Sequence, residues 1–492
     1  MLQRNSTAFA VFRGSLQLPL LMRRQRNQRL LQVCLLVSLC AIVVSLLVTS
    51  LGSRVVYLAL RAGWGPAEHW YDFSQPSLFV FYVYSAFVVD LGPRQHAIRL
   101  ISISSPVELF ARNHLDVLCV VRRRGHNTNM QVASILRPPP RHTTESGKLA
   151  WFDVADYVYS CPIPPSPHNQ HAPLELSVVY KTSQATEVSE ATTFMPVEVP
   201  TRGHQAVAVC VQATYGHLSR ERVVEWLEMQ RLLGVSLIGV YLTPRTHRDT
   251  RRTLSRYAEA TSPPLIELRT IGYLDGGRGN GHLLMVNLAA INDCFYRHSY
   301  THRYIAVIDF DEVIMPRKHR YLSDMMAELE ATTPLANYMF LNTYFFLEAK
   351  PDDNVSAQFT IARFRQRVSS SAWMIAHKSV VVARYCASMH YHQCDSFNNF
   401  SSSLPLPFTP ASAAAAVQLG VSRLNVVNDS DAVSHHYRSC YGTAHTAGKC
   451  DQLLASTYRD DTVLRYRAQL VDSVRRILDS TAVFNATLRE RN

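Results

Sequence analysis

The sequence predicts a mostly parallel α/β sheet with helices on both faces, preceded by a small β-sandwich-like domain and an N-terminal transmembrane helix. Three observations carry this expectation. Val33 to Leu51 is an uncharged run of 19 residues dominated by Leu and Val, long enough to cross a bilayer. From Leu78 to Tyr180, short apolar runs alternate with turn residues without a helical period, which is the pattern of a β unit. From Ala206 onward strands and helices succeed one another, and that grammar gives a sheet of mainly parallel strands.

The N-terminal segment comes first. Arg4, Arg13, Arg23, Arg24, Arg26 and Arg29 precede the apolar run, against Arg54 and Arg61 after it. By the positive-inside rule residues 1–32 are a cytosolic tail, 33–51 an anchor and 52–75 a stem, with the remainder luminal. A cleaved signal peptide is the alternative, and a basic leader of about thirty residues is too long for its n-region. The net charge of +12 is spread along the chain rather than gathered in blocks, so nucleic acid is not an expected partner. Of ten cysteines, Cys34 and Cys40 lie in the apolar run. The other eight suit disulfides in an oxidising compartment, in any of 105 pairings. Asn354, Asn399, Asn428 and Asn485 stand in glycosylation sequons.

Residues 76–200 read as the β-rich domain, through Leu78–Val89, Ala97–Ile103, Val117–Val121, Val154–Tyr159 and Leu174–Tyr180. Cys119 and Cys161 are the natural candidates for a bridge inside it. Two Pro-rich pieces, 137–140 and 162–167, are surface loops. Pro196–Pro200 is a linker into a domain spanning 201–460, followed by a helical tail, 461–492. Within it the expected order is strand 206–211, a helix capped by Ser219 that ends at Gly234, strand 235–242, helix 248–260, strand 265–271, a glycine-rich loop 272–281, helix 283–296 and strand 304–308.

That last strand ends in acid, in Asp309-Phe310-Asp311-Glu312. Ligands of open α/β sheets bind beyond the carboxyl ends of the strands. Two carboxylates there are hard oxygen ligands suited to Mn²⁺ or Mg²⁺, which in turn holds a diphosphate. Spacing alone does not decide, because Asp429-Ser430-Asp431 repeats it in a polar stretch with no strand before it, and a solvated turn is the plain alternative.

An ordered set of motifs adds to this. Cys210-Val211-Gln212-Ala213-Thr214-Tyr215-Gly216 is followed by Glu225-Trp226-Leu227-Glu228-Met229, Leu233-Gly234-Val235, Val240-Tyr241 and Asn292-Asp293-Cys294. Next come Ile308 to Val313 with Pro316, Lys378 to His392, and His436-Tyr437-Arg438, while Val83 to Phe87 precedes them all. Together they resemble glycosyltransferase family 92 over residues 78 to 445. Val313-Ile314-Met315-Pro316 departs from a more usual Phe-Ile-x-Pro, and His282 stands where Gln is expected.

The resemblance implies a GT-A-type fold in a type II Golgi membrane protein, with a UDP-sugar donor, a divalent metal and a glycan or glycoprotein acceptor. It points to an inverting β1,4-galactosyltransferase using UDP-galactose, with fucose of an N-glycan core among the acceptors. Asp309 and Asp311 would hold the metal, with a histidine from among His390, His392 and His436. Glu312 would steady a ligand or the nearby backbone. Lys378 and Arg438 are candidates for the diphosphate, and Tyr241 for the uracil, with a core role as its alternative. Glu225 and Trp226 read as structural. For the catalytic base, Asp395, Glu348, Asp352 and Asp353 all stay open. Two other classes compete: an inactive, membrane-anchored glycan-binding protein that keeps the fold, and another metal-dependent enzyme of nucleotide diphosphates, for which no signature is present.

Overall fold

The computed structural model describes residues 69–489, apart from 75–78, 93–94, 106–109, 111–113, 126–128, 135–154, 164–172, 183–190, 192, 262, 275–279, 369–376, 392, 398–425, 443–445 and 447. Residues 66–492 form one compact unit. The expected anchor at 33–51 lies outside the described residues, and among those no helix is long and apolar enough to cross a membrane.

The N-terminal part is all β: β1 (Tyr71–Asp72), β2 (Phe81–Gly92), β3 (Gln95–Ser104), β4 (Leu115–Arg123), β5 (Asn129–Ser134), β6 (Ala155–Ile163), β7 (Leu174–Thr182) and β8 (Met195–Val197). Two four-stranded antiparallel sheets, β1-β2-β3-β6 and β5-β4-β7-β8, enclose one apolar core. Phe81 and Val83 face it at odd positions, and a register shift between Val83 and Ser85 hands the inward face to Ala86. Cys119 on β4 is bonded to Cys161 on β6, so a disulfide ties one sheet to the other, as the sequence led us to expect. The strand β1 falls in residues read as stem.

The chain continues through β9 (Gln205–Cys210), β10 (Thr214–Gly216), α1 (Arg220–Leu232), β11 (Leu237–Thr246), α2 (Arg248–Ala260), β12 (Ile266–Thr270), α3 (Asn280–His298), β13 (His302–Val307) and β14 (Glu312–Pro316). Then follow α4 (Leu322–Thr332), β15 (Asn337–Phe340), β16 (Asn342–Phe346), β17 (Gln366–Arg367), β18 (Lys378–Val382), β19 (Cys386–Met389), β20 (Cys394–Phe397), β21 (Ala432–Arg438), α5 (Cys450–Ala455), β22 (Tyr458–Arg459) and α6 (Leu464–Arg489). The main sheet has seven strands, in the order β10-β11-β9-β13-β18-β15 with β12 also on β11. Pairs among β9 to β13 are parallel, whereas β18 and β15 join antiparallel.

Strand parity decides which helix each residue meets. Val207 and Val209 of β9, Ile238 and Val240 of β11, and Tyr304 and Ala306 of β13 share a core with α1, α4 and α6. The alternate residues face α3, to which Cys210 is tied by a disulfide with Cys294. At Gly239 the two layers come so close that a Cβ would stand 2.6 Å from the Cys294 sulfur. Helices therefore cover both faces, as expected. Two features differ from expectation. Residues 312–316 form a strand of their own in a second sheet, β14-β21-β16, and α3 begins at Asn280. Pairing with β21, about 120 residues away, carries no local signal.

The 42-residue separation of Cys119 and Cys161 makes their bridge worth about 4 kcal/mol by chain entropy. Replacing both by Ala is expected to lower the unfolding free energy by about 2–5 kcal/mol in urea titrations, without altering the chain downstream of β9.

Candidate active site

The acid turn joins β13 to β14. Glu312 closes it twice: its N–H donates to the Asp309 carbonyl at 3.0 Å, and its Oε2 accepts the Asp309 N–H at 2.9 Å. From α1, Trp226 Nε1–H donates to the Glu312 carbonyl at 2.6 Å while its ring packs on Phe310, 4.8 Å between centroids. From β21, the Tyr437 N–H donates to the Asp311 carbonyl at 2.8 Å. The turn is thus held from three sides, with the side chains of Asp309 and Asp311 left half-exposed at the sheet's carboxyl edge.

Beneath it Lys378 is buried. Its Nζ lies 3.0 Å from Asp309 Oδ2 and 2.7 Å from Glu312 Oε2. Burial alone would lower the ammonium's pKa, but the two carboxylates outweigh it and hold the group protonated. Burial also pushes the Glu312 carboxyl up, against the pull of Lys378. Beside the pair stands His436, whose Nε2 is 3.2 Å from Asp311 Oδ2 and whose Nδ1 is 3.3 Å from Glu312 Oε1 and 3.1 Å from Asn342 Nδ2. Burial would raise the Asp311 carboxyl, yet the His436 hydrogen bond and charge, with Lys378 and Arg222, keep it below its ordinary value. One ligand atom each from Asp311, Glu312 and His436 falls within 4.8 Å of the others, close enough for a common cation. Nε2 of His436 thus faces Asp311, while Nδ1 lies between the Asn342 amide and the Glu312 carboxylate.

The structure brings together Asp309, Asp311, Lys378 and His436 from the expected set. Arg438 is two residues beyond His436 on β21, hence on the same strand face, with its guanidinium 5.9 Å from the Tyr344 ring centroid. His392 lies outside the described residues, and His390 stands at the β19–β20 turn beside Tyr391. Tyr241 is elsewhere. It occupies an odd position of β11, facing α3, where it is fully buried with its hydroxyl on the Asp293 carboxylate and no face left for a base. Lys378 likewise is enclosed rather than presented to a diphosphate. Glu348 accepts from Ser439 Oγ at 2.5 Å and from the Cys440 N–H at 2.9 Å, bracing the turn after β21. Asp352 is held by Arg365 and Arg467, at 2.6 and 2.8 Å, Asp353 is 4.0 Å from Arg363, and Asp395 lies on β20.

Sequence reasoning passed over three residues. Gln212 Nε2 reaches Asp309 Oδ2 at 3.4 Å, and its Oε1 accepts from Asn287 Nδ2 at 3.4 Å. The register gives the reason: Cys210 pairs with Val307, so two residues beyond each strand end Gln212 stands beside Asp309. Tyr215, 52% exposed, has its phenol pKa raised by partial burial and then by the charges of Asp309 and Asp311.

The profile of glycosyltransferase family 92 matches residues 205–470, from β9 into α6. This chain belongs to glycosyltransferase family 92. No curated protein matches it in sequence. Among solved structures, the crystal structure of 4-diphosphocytidyl-2C-methyl-D-erythritol synthase is similar at 13% identity over 37% of this chain and 76% of the other, with a TM-score of 0.20. As a family 92 glycosyltransferase the chain uses a sugar donor and a glycan acceptor.

Two outcomes follow from the electrostatics. Lys378→Met strands the buried Glu312 carboxyl and is expected to cost about 3–5 kcal/mol in urea unfolding, much of which returns in Lys378→Met/Glu312→Gln. Separately, burial pushes the Glu225 carboxyl of α1 up to about 7, against the N–H groups of Ala362 and Thr360. The folded state therefore keeps a proton that the unfolded chain has lost above its ordinary 4.5. That contribution to stability is complete below pH 4.5 and disappears as pH rises to about 7. The stability difference between wild type and Glu225→Gln should fall by up to about 1.4 kcal/mol per pH unit across that interval; a flat difference rejects the shift.

Proposed function

We propose that the chain is a metal-dependent hexosyltransferase of GT-A type that moves galactose from UDP-galactose onto a glycan, fucose of an N-glycan core among its acceptors, with inversion and a β1,4 linkage. We place it in the Golgi membrane as a single-pass type II protein anchored by residues 33–51, with the described unit luminal. The single observation that carries the chemistry is the meeting of Asp311, Glu312 and His436 within 4.8 Å, with Asp309 in the same turn.

The donor set fits Mn²⁺ or Mg²⁺: two half-exposed carboxylates and an imidazole whose Nε2 points at one of them. A bound metal would supply Lewis-acid stabilisation of the departing diphosphate. Asp309, Asp311 and His436 would hold it. Glu312, on His436 Nδ1, orients the ring, the usual task of a carboxylate behind a ligating histidine. Lys378 Nζ holds Asp309 Oδ2 at 3.0 Å and so fixes which of its oxygens faces outward. Arg438 binds a diphosphate oxygen, and Tyr215 offers a ring to the sugar or base. Inversion requires a carboxylate to take the acceptor hydroxyl's proton, and Asp395 and Glu348 remain its candidates. The Cys440 N–H and Ser439 hold the Glu348 carboxyl below its ordinary range despite partial burial, which weakens it as a base.

One contact favours a second reading, an inactive glycan-binding protein: the Lys378 ammonium already neutralises Asp309. The two readings separate on product. Residues 66–492, incubated with Mn²⁺, UDP-galactose and a fucosylated N-glycan, are expected to add one hexose by mass, to lose activity in EDTA and to regain it with Mn²⁺. Asp311→Asn and His436→Gln should each reduce kcat at least about 100-fold in protein that remains folded by circular dichroism. Binding of the glycan without product from any donor would favour the second reading, and parental rates in both variants would remove the proposed site.

A further inference from the structure

A second cluster of ligand-type side chains shares no residue with the acid turn. Gly216 at the end of β10 pairs with Thr246 at the end of the parallel strand β11, and the His247 N–H donates to the Gly216 carbonyl at 2.8 Å. His217 and His247, each one residue further on, therefore leave the two strands side by side. Their exposed rings meet edge-on, 4.9 Å between centroids. The helix α2 starts at the same place, with His247 as its N-cap and Asp249 in its first turn, so the junction adds a carboxylate to the two imidazoles. One ligand atom each from His217, His247 and Asp249 lies within 4.8 Å of the others.

The backbone under these side chains is fixed. The Leu218 N–H donates to Thr250 Oγ1 at 2.9 Å, the Thr250 hydroxyl returns a hydrogen bond to the Leu218 carbonyl at 3.3 Å, and Thr243 Oγ1 donates to the Thr214 carbonyl at 2.8 Å. The chain after β10 and the first turn of α2 are thus tied together before any ligand arrives, which lowers the ordering cost of binding. His247 Nδ1 is 3.4 Å from Asp249 Oδ2. Zinc bonds of about 2.0–2.1 Å at tetrahedral angles set neighbouring ligand atoms about 3.3–3.4 Å apart, so one edge of such a site is already in place. A metal there would displace the Asp249 N–H from the same Nδ1, a long hydrogen bond of 3.3 Å at an exposed helix end where water can replace it. His217, on an exposed side chain, closes the remaining gap by rotation.

The surroundings choose the ion. Arg248 Nε and Arg252 Nη1 stand 3.9 and 4.0 Å from Asp249 Oδ1, and the positive end of the α2 dipole lies at the cluster. Ca²⁺ and Mg²⁺, which rely on several charged oxygens, are disfavoured there. A metal that bonds imidazole nitrogen directly depends less on that field. We infer that His217, His247 and Asp249 form a Zn²⁺ site with three protein ligands, leaving a fourth position to water. Its consequence is mechanical. β10 is a three-residue strand at the edge of the main sheet, and Zn²⁺ would staple the end of that strand, which carries Tyr215, to the start of α2. The inference does not depend on the reaction proposed above.

The test is metal binding, read without transfer. Untagged protein is titrated with Co²⁺ as a spectroscopic probe, because a four-coordinate site with two imidazoles absorbs strongly in the visible and a six-coordinate, oxygen-rich site does not. Stoichiometric Zn²⁺ is expected to abolish the band, and Ca²⁺ or Mg²⁺ in excess to leave it. Asp311→Asn should retain it, since the acid turn contributes none of the ligands. His217→Ala, at an exposed position, should keep the parental far-UV circular dichroism and weaken Zn²⁺ binding at least about tenfold, the cost of losing even an outer-shell partner. His247→Asn, which keeps a capping side chain on α2, is expected to weaken binding in the same way and serves if the first variant folds poorly. No band in the parent protein, a band that survives in both histidine variants, or one lost in Asp311→Asn instead would each overturn the proposal.

Discussion

The buried ammonium of Lys378 is the contact on which the site depends. Three strands end around it: β13 delivers Asp309, β14 delivers Glu312, and β18 delivers the lysine, placed next to the acid turn because Ser379 pairs with Val307. Two carboxylates with a histidine beside them would repel one another in a low-dielectric interior. A single cation underneath removes that conflict and leaves the outward oxygens available. Buried ion pairs are weak evidence for stability. Here the pair serves geometry, because Glu312 also closes the turn through the Asp309 N–H.

The second sheet then explains the histidine. Glu312 and His436 are paired residues of β14 and β21, so carboxylate and imidazole are neighbours by register rather than by chance side-chain placement. On the other side of β21, β16 runs parallel and brings Asn342 to His436 Nδ1. The result is a ring whose Nδ1 is engaged inside the protein and whose Nε2 faces the half-exposed Asp311.

What was legible in the sequence follows from range. Ser219 and Gly234 bound α1 because capping and a left-handed glycine are local signals: Ser219 accepts from the Arg222 N–H, and Gly234 has φ of 83°. The helix 248–260 and the strand before the acids were legible for the same reason. Pairing of β14 with β21 was not, since register between distant strands is set by tertiary packing. Tyr241 shows the finer failure. A tyrosine near a strand end looks available, but period-two alternation puts it on the α3 face with Gly239, and only the positions of α3 and the β sandwich reveal that this face is closed. Gln212 was recoverable: once β9 and β13 are adjacent and parallel, equal offsets from their ends meet.

The fate of Tyr241 bears on why the β sandwich is there at all. Its hydroxyl lies on Asp293, a fully buried carboxylate on α3 that also pairs with Arg297 at 3.1 Å. Arg297 in turn reaches Glu198, just beyond β8, and stands over the Phe87 ring of β2 at 5.0 Å. The charge of Asp293 is thus compensated partly by residues of the sandwich. Trp70 Nε1–H donates to the Gly272 carbonyl at 3.0 Å and the Tyr84 hydroxyl to the Thr270 carbonyl at 2.8 Å, fixing the chain where it leaves β12 at the sheet's carboxyl edge. An α/β part cut away near residue 201 would keep Asp293 and Arg297 but lose Glu198, and its strand-end segment would lose two donors. The sandwich therefore acts as a clamp that completes a buried charge network and holds one rim of the edge on which the acids stand.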